Sequence, residues 1–146
     1  MSRFMKVLNN ISRSQAIYRH NRIPAEDLQG GHYSFALAIC SQPGRSQEEI
    51  ARELCLNKST VTRNLNFLEE RGYVARHPSP HDKRQFSVYP TDKLLNILPD
   101  IRKVSAEWME LLSEGIPQDE LDIFDSVLHR MEERARTIIE KQEEAK

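Results

Sequence analysis

Apolar residues recur every three or four positions along the first third of the chain, which is the spacing of an amphipathic helix. A first helix is predicted from Phe4 to about Arg22, ahead of a break at Pro24. The same spacing resumes after the Gly30-Gly31 turn, in a second helix that ends at Pro43-Gly44. This part of the chain therefore predicts two helices joined by a turn.

Two shorter helices with clear start signals follow. Ser46 stands three residues before Glu49, a capping-box spacing that opens the third helix. Asn57 is a good N-cap for the fourth helix, which is expected to continue up to Gly72. The apolar residues of the fourth helix fall on one side of it, at Val61, Leu65 and Leu68. A short helix, a tight turn and a second helix in this order predict a helix-turn-helix.

After the fourth helix the apolar period changes from about 3.6 to 2, which indicates β-strands. Strands are predicted over Tyr73–His77 and Gln85–Tyr89. The segment between them, 78–84, contains Pro, Ser and Asp and is predicted to be an exposed hairpin loop. A hairpin directly after a helix-turn-helix predicts a wing.

Two longer helices complete the predicted fold. Thr91-Asp92 can cap the fifth helix, which has a broad apolar face and is expected to bend at Pro99. The sixth helix starts at Pro117, and its apolar positions alternate steps of three and four residues, as in a coiled-coil heptad. The predicted fold class is mainly α with a small β-hairpin wing (α+β).

Composition adds three constraints. At 146 residues the chain has the size of one domain. No apolar run approaches the roughly 20 residues of a membrane-spanning helix, so we expect a cytoplasmic protein. The formal net charge is -1, but it divides into +3 for residues 1–44, +2 for residues 45–91 and -6 for residues 92–146. This division is compatible with a nucleic-acid surface held by an acidic scaffold.

The outer face of the fourth helix carries side chains that suit the major groove of duplex DNA. With the apolar stripe turned inward, Ser59, Arg63 and Asn66 point outward and Thr60 and Thr62 flank them. Lys58, in the first turn, is better placed for a phosphate. The alternative for this face is an ordinary polar helix surface with a Ser/Thr-rich cap.

The predicted loop tip extends the DNA hypothesis with Asp82, Lys83 and Arg84. A cationic tip can reach an adjacent minor groove, where arginine is attracted to the narrow, electronegative geometry. Asp82 is expected to orient the Arg84 side chain by a charge-assisted hydrogen bond. The alternative is a solvated turn, but helix and wing in this order favour DNA binding over either alternative alone.

In these stretches the chain resembles the MarR family of transcriptional regulators. The strongest match runs from Gln47 through the fourth helix to Arg76. The wing and the residues after it repeat the family's spacing with Asp82, Arg84, Val88, Thr91 and Lys93. Two residues depart from the family pattern, Pro90 where Leu is common and Leu94 where Gly is common. Both lie where the wing joins the fifth helix, so they are expected to affect the angle of that helix more than DNA binding.

The resemblance implies a winged helix-turn-helix with a helical dimerisation region formed by both termini. It implies one MarR-type domain over residues 1–146, with an N-terminal dimerisation helix (1–30), a DNA-binding lobe (31–91) and C-terminal dimerisation helices (92–146). Within the lobe, the helix-turn-helix is expected over 46–71 and the wing over 73–90. The predicted homodimer interface is apolar: Phe4, Leu8, Ile11, Leu121, Phe124, Leu128, Met131 and Ile138. The alternative for the heptad seam is packing within one chain.

The resemblance also implies an effector crevice between the first two helices and the fifth. Residues chosen there by element and chemistry are Tyr18, His20, Arg22, His32, Tyr33 and Trp108, whose alternative is ordinary packing. Cys40 and Cys55 have apolar neighbours and are expected to be buried as small hydrophobic residues. No cofactor and no metal site are predicted, because the histidines and cysteines lack ligand spacing. No enzyme motif is recognisable either.

The predicted function is sequence-specific binding of double-stranded DNA by a homodimeric transcriptional regulator. The resemblance implies a repressor that acts at a pseudo-palindromic operator and is relieved by a small-molecule effector. Two alternatives stay open from the residues alone. One is a winged-helix protein-interaction module without sequence-specific DNA binding, and the other is a thiol-based redox-sensing regulator.

Overall fold

Six helices and three short strands make up the part of the chain that the structure, a computed structural model, describes, residues 2–146. In chain order they are α1 (Ser2–Arg19), α2 (His32–Ser41), β1 (Arg45–Ser46), α3 (Gln47–Leu54), α4 (Lys58–Glu70), β2 (Val74–Pro78), β3 (Phe86–Pro90), α5 (Asp92–Ser113) and α6 (Gln118–Glu144). The predicted fold class, mainly helical with a small antiparallel sheet, is confirmed. Met1, the first residue of the predicted region 1–30, lies outside the described residues.

The first helix is shorter than its apolar spacing suggested. It was expected to reach about Arg22, but α1 ends at Arg19. The backbone of Asn21 has a φ of +64°, in the left-handed region, which an α-helix cannot continue through. Asparagine tolerates this conformation better than most residues, so α1 can end here, before Pro24.

The sheet contains one strand more than the two predicted. Its strand order is β1-β3-β2, and all pairs are antiparallel. Val88 of β3 lies opposite Arg45 on one side and Arg76 on the other. β1 has only two residues, so no alternation of apolar and polar positions announces it. The two hairpin strands also begin one residue later than predicted. Tyr73 donates its backbone N–H to the carbonyl of Leu68 at the end of α4, and Gln85 donates its own to the carbonyl of Asp82 in the hairpin loop.

The helix caps predicted at Ser46 and Asn57 are present. The Oγ of Ser46 accepts the backbone N–H of Glu49, and the Oδ1 of Asn57 accepts that of Thr60. The stripe predicted on α4 is also confirmed, because its three apolar side chains are all buried: Val61, Leu65 and Leu68. They pack in one apolar core with residues of the loop before α2, of α2 and α3, of the sheet and of α5.

Arg45 of β1 links α2 to the C-terminal end of α3. Its guanidinium donates to the Glu53 carboxylate and to the backbone carbonyl of Ala38. β1, α3 and α2 are therefore joined by one side chain.

The chain divides into two compact units, one ending at Trp108 and the other covering Met109–Lys146. The boundary lies inside α5. In the second unit, none of residues 118–144 is buried in the single chain. Large apolar side chains such as Ile123 and Phe124 are 65% and 53% exposed. Among residues 2–146, no helix has the length and apolar character needed to cross a bilayer.

Replacing Gly44 by Ala is expected to lower the free energy of unfolding by about 1–3 kcal/mol. Its φ is +92°, and an added Cβ would lie 3.2 Å from the Tyr89 hydroxyl oxygen. Gly31→Ala is the matched control, because Gly31 has helical dihedrals and no atom within 4 Å of the added Cβ. That variant should stay within about 1 kcal/mol of the original chain. Urea denaturation measures both, and equal losses would contradict the argument.

Candidate nucleic-acid interface

The outer face of α4 forms a shallow open groove. Its lining residues are Lys58, Ser59, Thr62, Arg63, Asn66, Phe67 and Glu70. Four of the five residues predicted on this helix to contact DNA are among them, and the fifth, Thr60, is half-buried beside Val61. The groove is polar and cationic at its N-terminal end and carries a carboxylate at its C-terminal end. It can therefore accept a phosphate more readily near Lys58 than near Glu70.

The cations of this groove are available to a partner. The Nζ of Lys58 is 3.7 Å from a Glu48 carboxylate oxygen, but both side chains are mostly exposed. Such a surface pair contributes about 0–1 kcal/mol, which a phosphate contact can replace. Arg63 is exposed and has no hydrogen bond or ion pair with the other described residues.

The hairpin loop exposes the three predicted wing residues Asp82, Lys83 and Arg84. The expectation that Asp82 orients the Arg84 side chain is not what the structure shows. The Asp82 carboxylate instead accepts the backbone N–H of Arg84 at 2.9 Å, and its carbonyl accepts that of Gln85. A carboxylate two residues before an N–H makes a local turn, so Asp82 shapes the loop and leaves the Arg84 side chain exposed.

Arg76 of β2 connects the wing with both helices of the helix-turn-helix, and the sequence prediction assigned it no role. Its guanidinium donates two bonds to Glu69, at 3.1 and 3.0 Å, one to Asn66 at 2.6 Å and one to Gln47 at 3.3 Å. The hydrogen bond from Arg76 lowers the pKa of Glu69. Gln47 in turn donates to the hydroxyl of Thr62 at 3.4 Å. The signal available in the sequence was the position of Arg76 at the end of the matched stretch.

The first turn of α5 holds the C-terminal end of α4. Lys93 donates to the carbonyl of Arg71 at 2.6 Å, and its ammonium lies 4.2 Å from the centre of the Tyr73 ring. The hydroxyl of Thr91 lies 2.6 and 3.0 Å from the carbonyl oxygens of Gly72 and Tyr73. Carbonyls at a helix end lack partners within the helix, so α5 supplies them.

Comparisons with known proteins show which regulators this chain is similar to. A model of the MarR family matches residues 26–85. The uncharacterized HTH-type transcriptional regulator YybA of Bacillus subtilis (strain 168) is 27% identical over 105 residues, 72% of this chain and 70% of YybA. The crystal structure of a MarR transcriptional regulator from Methanosarcina mazei Go1 has a TM-score of 0.84 at 25% identity, covering 94% of this chain and 99% of that chain. These similarities support a winged-helix regulator of the MarR type.

Streptococcus pneumoniae FabT, solved in complex with DNA, shares the fold with a TM-score of 0.76 at 20% identity, over 94% of this chain and 95% of that chain. The predicted recognition as a MarR-family winged-helix transcriptional regulator is thus confirmed. Members of this family are regulators rather than enzymes, which agrees with the sequence prediction.

Of the two departures from the family pattern, Leu94 is fully buried in the core and Pro90 pairs with Val74 at the end of the sheet.

The six residues predicted for a MarR-type effector crevice fall into separate groups. Tyr18 and Trp108 form a ring pair 5.3 Å apart, with the Arg22 guanidinium 4.0 Å from the Tyr18 ring. Tyr33 is buried and donates its hydroxyl hydrogen to the carbonyl of Leu28. The remaining two, His20 and His32, lie outside the aromatic pair: His20 is exposed, and His32 stacks on Phe67.

His32 links the start of α2 to the C-terminal part of α4. Its ring lies 4.2 Å from that of Phe67, whose ring centre is also 3.8 Å from the Arg71 guanidinium. The Nδ1 of His32 accepts the backbone N–H of Gln29 at 3.1 Å, which requires that this nitrogen be unprotonated. Burial and the positive charge of Arg71 lower the pKa of His32, against an opposing effect of Asp27.

Asp27 completes this connection from the loop before α2. It accepts the Tyr73 hydroxyl at 2.5 Å and lies 3.6 Å from the Arg71 guanidinium. Burial and this hydrogen bond raise the pKa of Tyr73, which stays neutral. The loop thus contacts Arg71, the C-cap of α4, and Tyr73, just before β2.

The two cysteines differ. Cys40 is half-buried against the core, and burial raises the pKa of its thiol despite the nearby charge of Arg102. Cys55 was expected to be buried, and this is wrong, because it is exposed. It is the C-cap of α3 with left-handed dihedrals, and its N–H bonds to carbonyls of α3. Among residues 2–146, no three His, Cys, Asp or Glu side chains are grouped as a metal site requires.

Replacing His32 by Asn is expected to weaken the loss of stability in acid. Since the folded-state pKa of His32 is lowered, the unfolded chain binds the proton more readily. The contribution of His32 to the free energy of unfolding is therefore complete above about pH 6.5 and is lost as pH falls through the lower folded pKa. Asn keeps an acceptor near Nδ1 but does not titrate.

Urea denaturation at pH 7.5 and pH 5.5 measures this effect as the difference between the two chains. His81→Asn, in the exposed hairpin loop, is the matched control and should keep the original pH dependence. An unchanged pH dependence in the His32→Asn variant would contradict the assignment.

Proposed function

We propose that this MarR-family regulator is a homodimeric repressor that binds a pseudo-palindromic site in double-stranded DNA. The observation that carries the proposal is the groove along α4, where Arg63 has no partner among the described residues and lies beside hydroxyl and amide side chains. An arginine in such a groove matches the O6 and N7 atoms of guanine in the major groove. The exposed wing cations, Lys83 and Arg84, can add contacts to phosphates or to the minor groove. The fold shared with FabT, which was solved with DNA, supports the same proposal.

In this proposal the residues divide into two roles. Lys58, Lys83 and Arg84 contact phosphates or the minor groove and supply affinity that does not depend on sequence. Ser59, Thr60, Thr62 and Arg63 contact base edges in the major groove. Asp82 contributes by shaping the turn that carries the wing cations.

Removing a wing cation and removing a base contact are expected to have different effects. Lys83→Ala should weaken binding to all duplexes and lower the slope of log affinity against log salt by about one. Arg63→Ala should instead relax sequence preference, with a loss of about 1–3 kcal/mol that is confined to the preferred site. Fluorescence anisotropy with a selected duplex and a scrambled one, over a range of salt, measures both effects.

Lys141→Ala is the control for the wing variant, because it removes the same charge from an exposed position in α6. It should leave the affinity and the salt slope unchanged. Salt-dependent binding without any sequence preference in the original chain would favour the alternative, an interaction module that docks an acidic partner.

The proposed dimer rests on the apolar surface of α6. Side chains at heptad spacing on this helix remain exposed in the single chain, with Phe124 at 53%, Met131 at 44% and Ile138 at 50%. Leu121 and Leu128, on the same seam, are half-buried. In α1, Ile11 is exposed, while Phe4 and Leu8 are half-buried. Apolar side chains repeated along a helix in this way mark an interaction surface more often than a solvated one.

Phe124→Asp is expected to shift the protein from dimer to monomer, because a carboxylate buried in an apolar interface lacks a partner. Ser126→Asp introduces the same residue at an exposed position off the seam and should remain dimeric. Sedimentation velocity at micromolar concentration measures both. A purely monomeric original chain would rule out the dimer.

An effector would act by changing the separation or tilt of the two α4 helices of the dimer. The Tyr18, Arg22 and Trp108 cluster supports this part of the proposal, since it combines two neighbouring tilted rings with a cation. A coupling free energy of about 1–3 kcal/mol would change DNA affinity by about 5- to 150-fold. The half-buried Cys40, whose thiol pKa is raised, does not favour a thiol-based trigger at that position.

A further inference from the structure

Arg76 of β2 determines which hydrogen-bonding atoms Asn66 and Gln47 have left for other partners. An arginine side chain donates hydrogen bonds and accepts none. The amide atoms that face its guanidinium must therefore be oxygens, namely Oδ1 of Asn66 at 2.6 Å and Oε1 of Gln47 at 3.3 Å. The two bonds to Glu69 hold the guanidinium in place. The orientation of both amides thus follows from chemistry.

Asn66 is exposed and lines the groove of α4, three residues after Arg63. Because its oxygen faces Arg76, its amino group and the two N–H donors on it are left for a partner outside the protein. An unconstrained asparagine uses oxygen and amino group together to match N6 and N7 of adenine. Held by Arg76, Asn66 presents donors alone.

Gln47 extends the same constraint to Thr62. Since the Gln47 oxygen faces Arg76, its amino group donates to the Thr62 hydroxyl oxygen at 3.4 Å. That hydroxyl itself donates to the carbonyl of Lys58 at 2.9 Å. Thr62 lines the groove, and its hydroxyl is engaged both as donor and as acceptor. Its methyl group is therefore left for a base contact, a match for the methyl group of thymine.

We infer that Asn66 is a specificity-determining residue of the DNA interface and that Arg76 is the positioning residue that makes it select guanine over adenine. Guanine offers two acceptors, O6 and N7, in the major groove, whereas the N6 amino group of adenine would face the donors of Asn66. This inference rests on the proposed function and names one base of the DNA site, a guanine, that the protein would select. The sequence prediction placed Asn66 on the outer face of α4 but did not assign it a DNA contact.

The experiment begins with the full-length chain and a random-sequence duplex library, from which bound sites are selected and sequenced. Each selected guanine is then replaced by adenine, with its partner base, and affinities are measured by fluorescence anisotropy. One guanine should be sensitive to Asn66, with an affinity loss of about tenfold in the original chain. Asn66→Ala should lose less than twofold at that guanine and keep the original losses at the other positions.

Arg76→Met removes the guanidinium and keeps an apolar side chain of similar length, so the Asn66 amide can rotate. This variant should accept adenine as well as guanine at the Asn66-dependent position. Glu69→Gln is the matched control, since it removes a charge from the same network and leaves the bond from Arg76 to Asn66 in place. It should keep the preference for guanine. Circular dichroism establishes that each variant is folded, and the Asn66→Ala result does not depend on the folding of Arg76→Met.

Different results overturn different parts. An adenine preference at the Asn66-dependent position, or a selected sequence that Asn66→Ala leaves unchanged, would overturn the inference and leave the proposed function standing. Unchanged guanine selection by folded Arg76→Met would overturn the positioning role of Arg76. A library that yields no common sequence with the original chain would overturn the proposed function and the inference with it.

Discussion

The attachment of α4 to its surroundings is the constraint on which the candidate DNA-reading face depends. Its apolar stripe supplies most of the stabilisation, at about 1.5–3 kcal/mol for each fully buried side chain. The polar contacts of Arg76, Thr91 and Lys93 add about 1 kcal/mol each in net terms, or somewhat more where a charge takes part. Their larger effect is directional, because they fix how the helix is rotated and where it ends. The buried apolar side chains hold α4 against the core, and the polar contacts fix its rotation about its own axis and its C-terminal end.

The same residue type has opposite roles a short distance apart on this surface. Arg63 is unpaired among the described residues and lines the groove with an exposed side chain. The guanidinium of Arg76, in contrast, donates hydrogen bonds to three side chains of the protein. A count of basic residues gives these two arginines equal weight. What separates them is the partners that folding places within reach. The modest charge of +2 for residues 45–91 therefore understates how differently its cations are used.

Features that depend on near neighbours in sequence could be predicted, and features that depend on distant ones could not. The caps at Ser46 and Asn57 are local hydrogen bonds over three residues, so their spacing in the sequence was sufficient. The pairing of β1 with β3 and the contact of Arg76 with Gln47 join residues far apart in sequence, which the spacing of apolar residues does not indicate. The exposure of Cys55 was missed for a different reason. Its leucine neighbours suggested burial, but the left-handed backbone of a helix cap places it outside the apolar pattern.

The pairing of β1 with β3 also has a consequence for how the molecule unfolds. Arg45 and Val88 are partners across the sheet, so the entire helix-turn-helix lies within a loop that this pairing closes. Closing so long a loop costs conformational entropy, which is recovered only when α3, α4 and the hairpin are all in place. Loss of the pairing between β1 and β3 and local unfolding of the helix-turn-helix are therefore expected to occur together. A partner that stabilises either element against local unfolding would protect the backbone amides of both from hydrogen exchange.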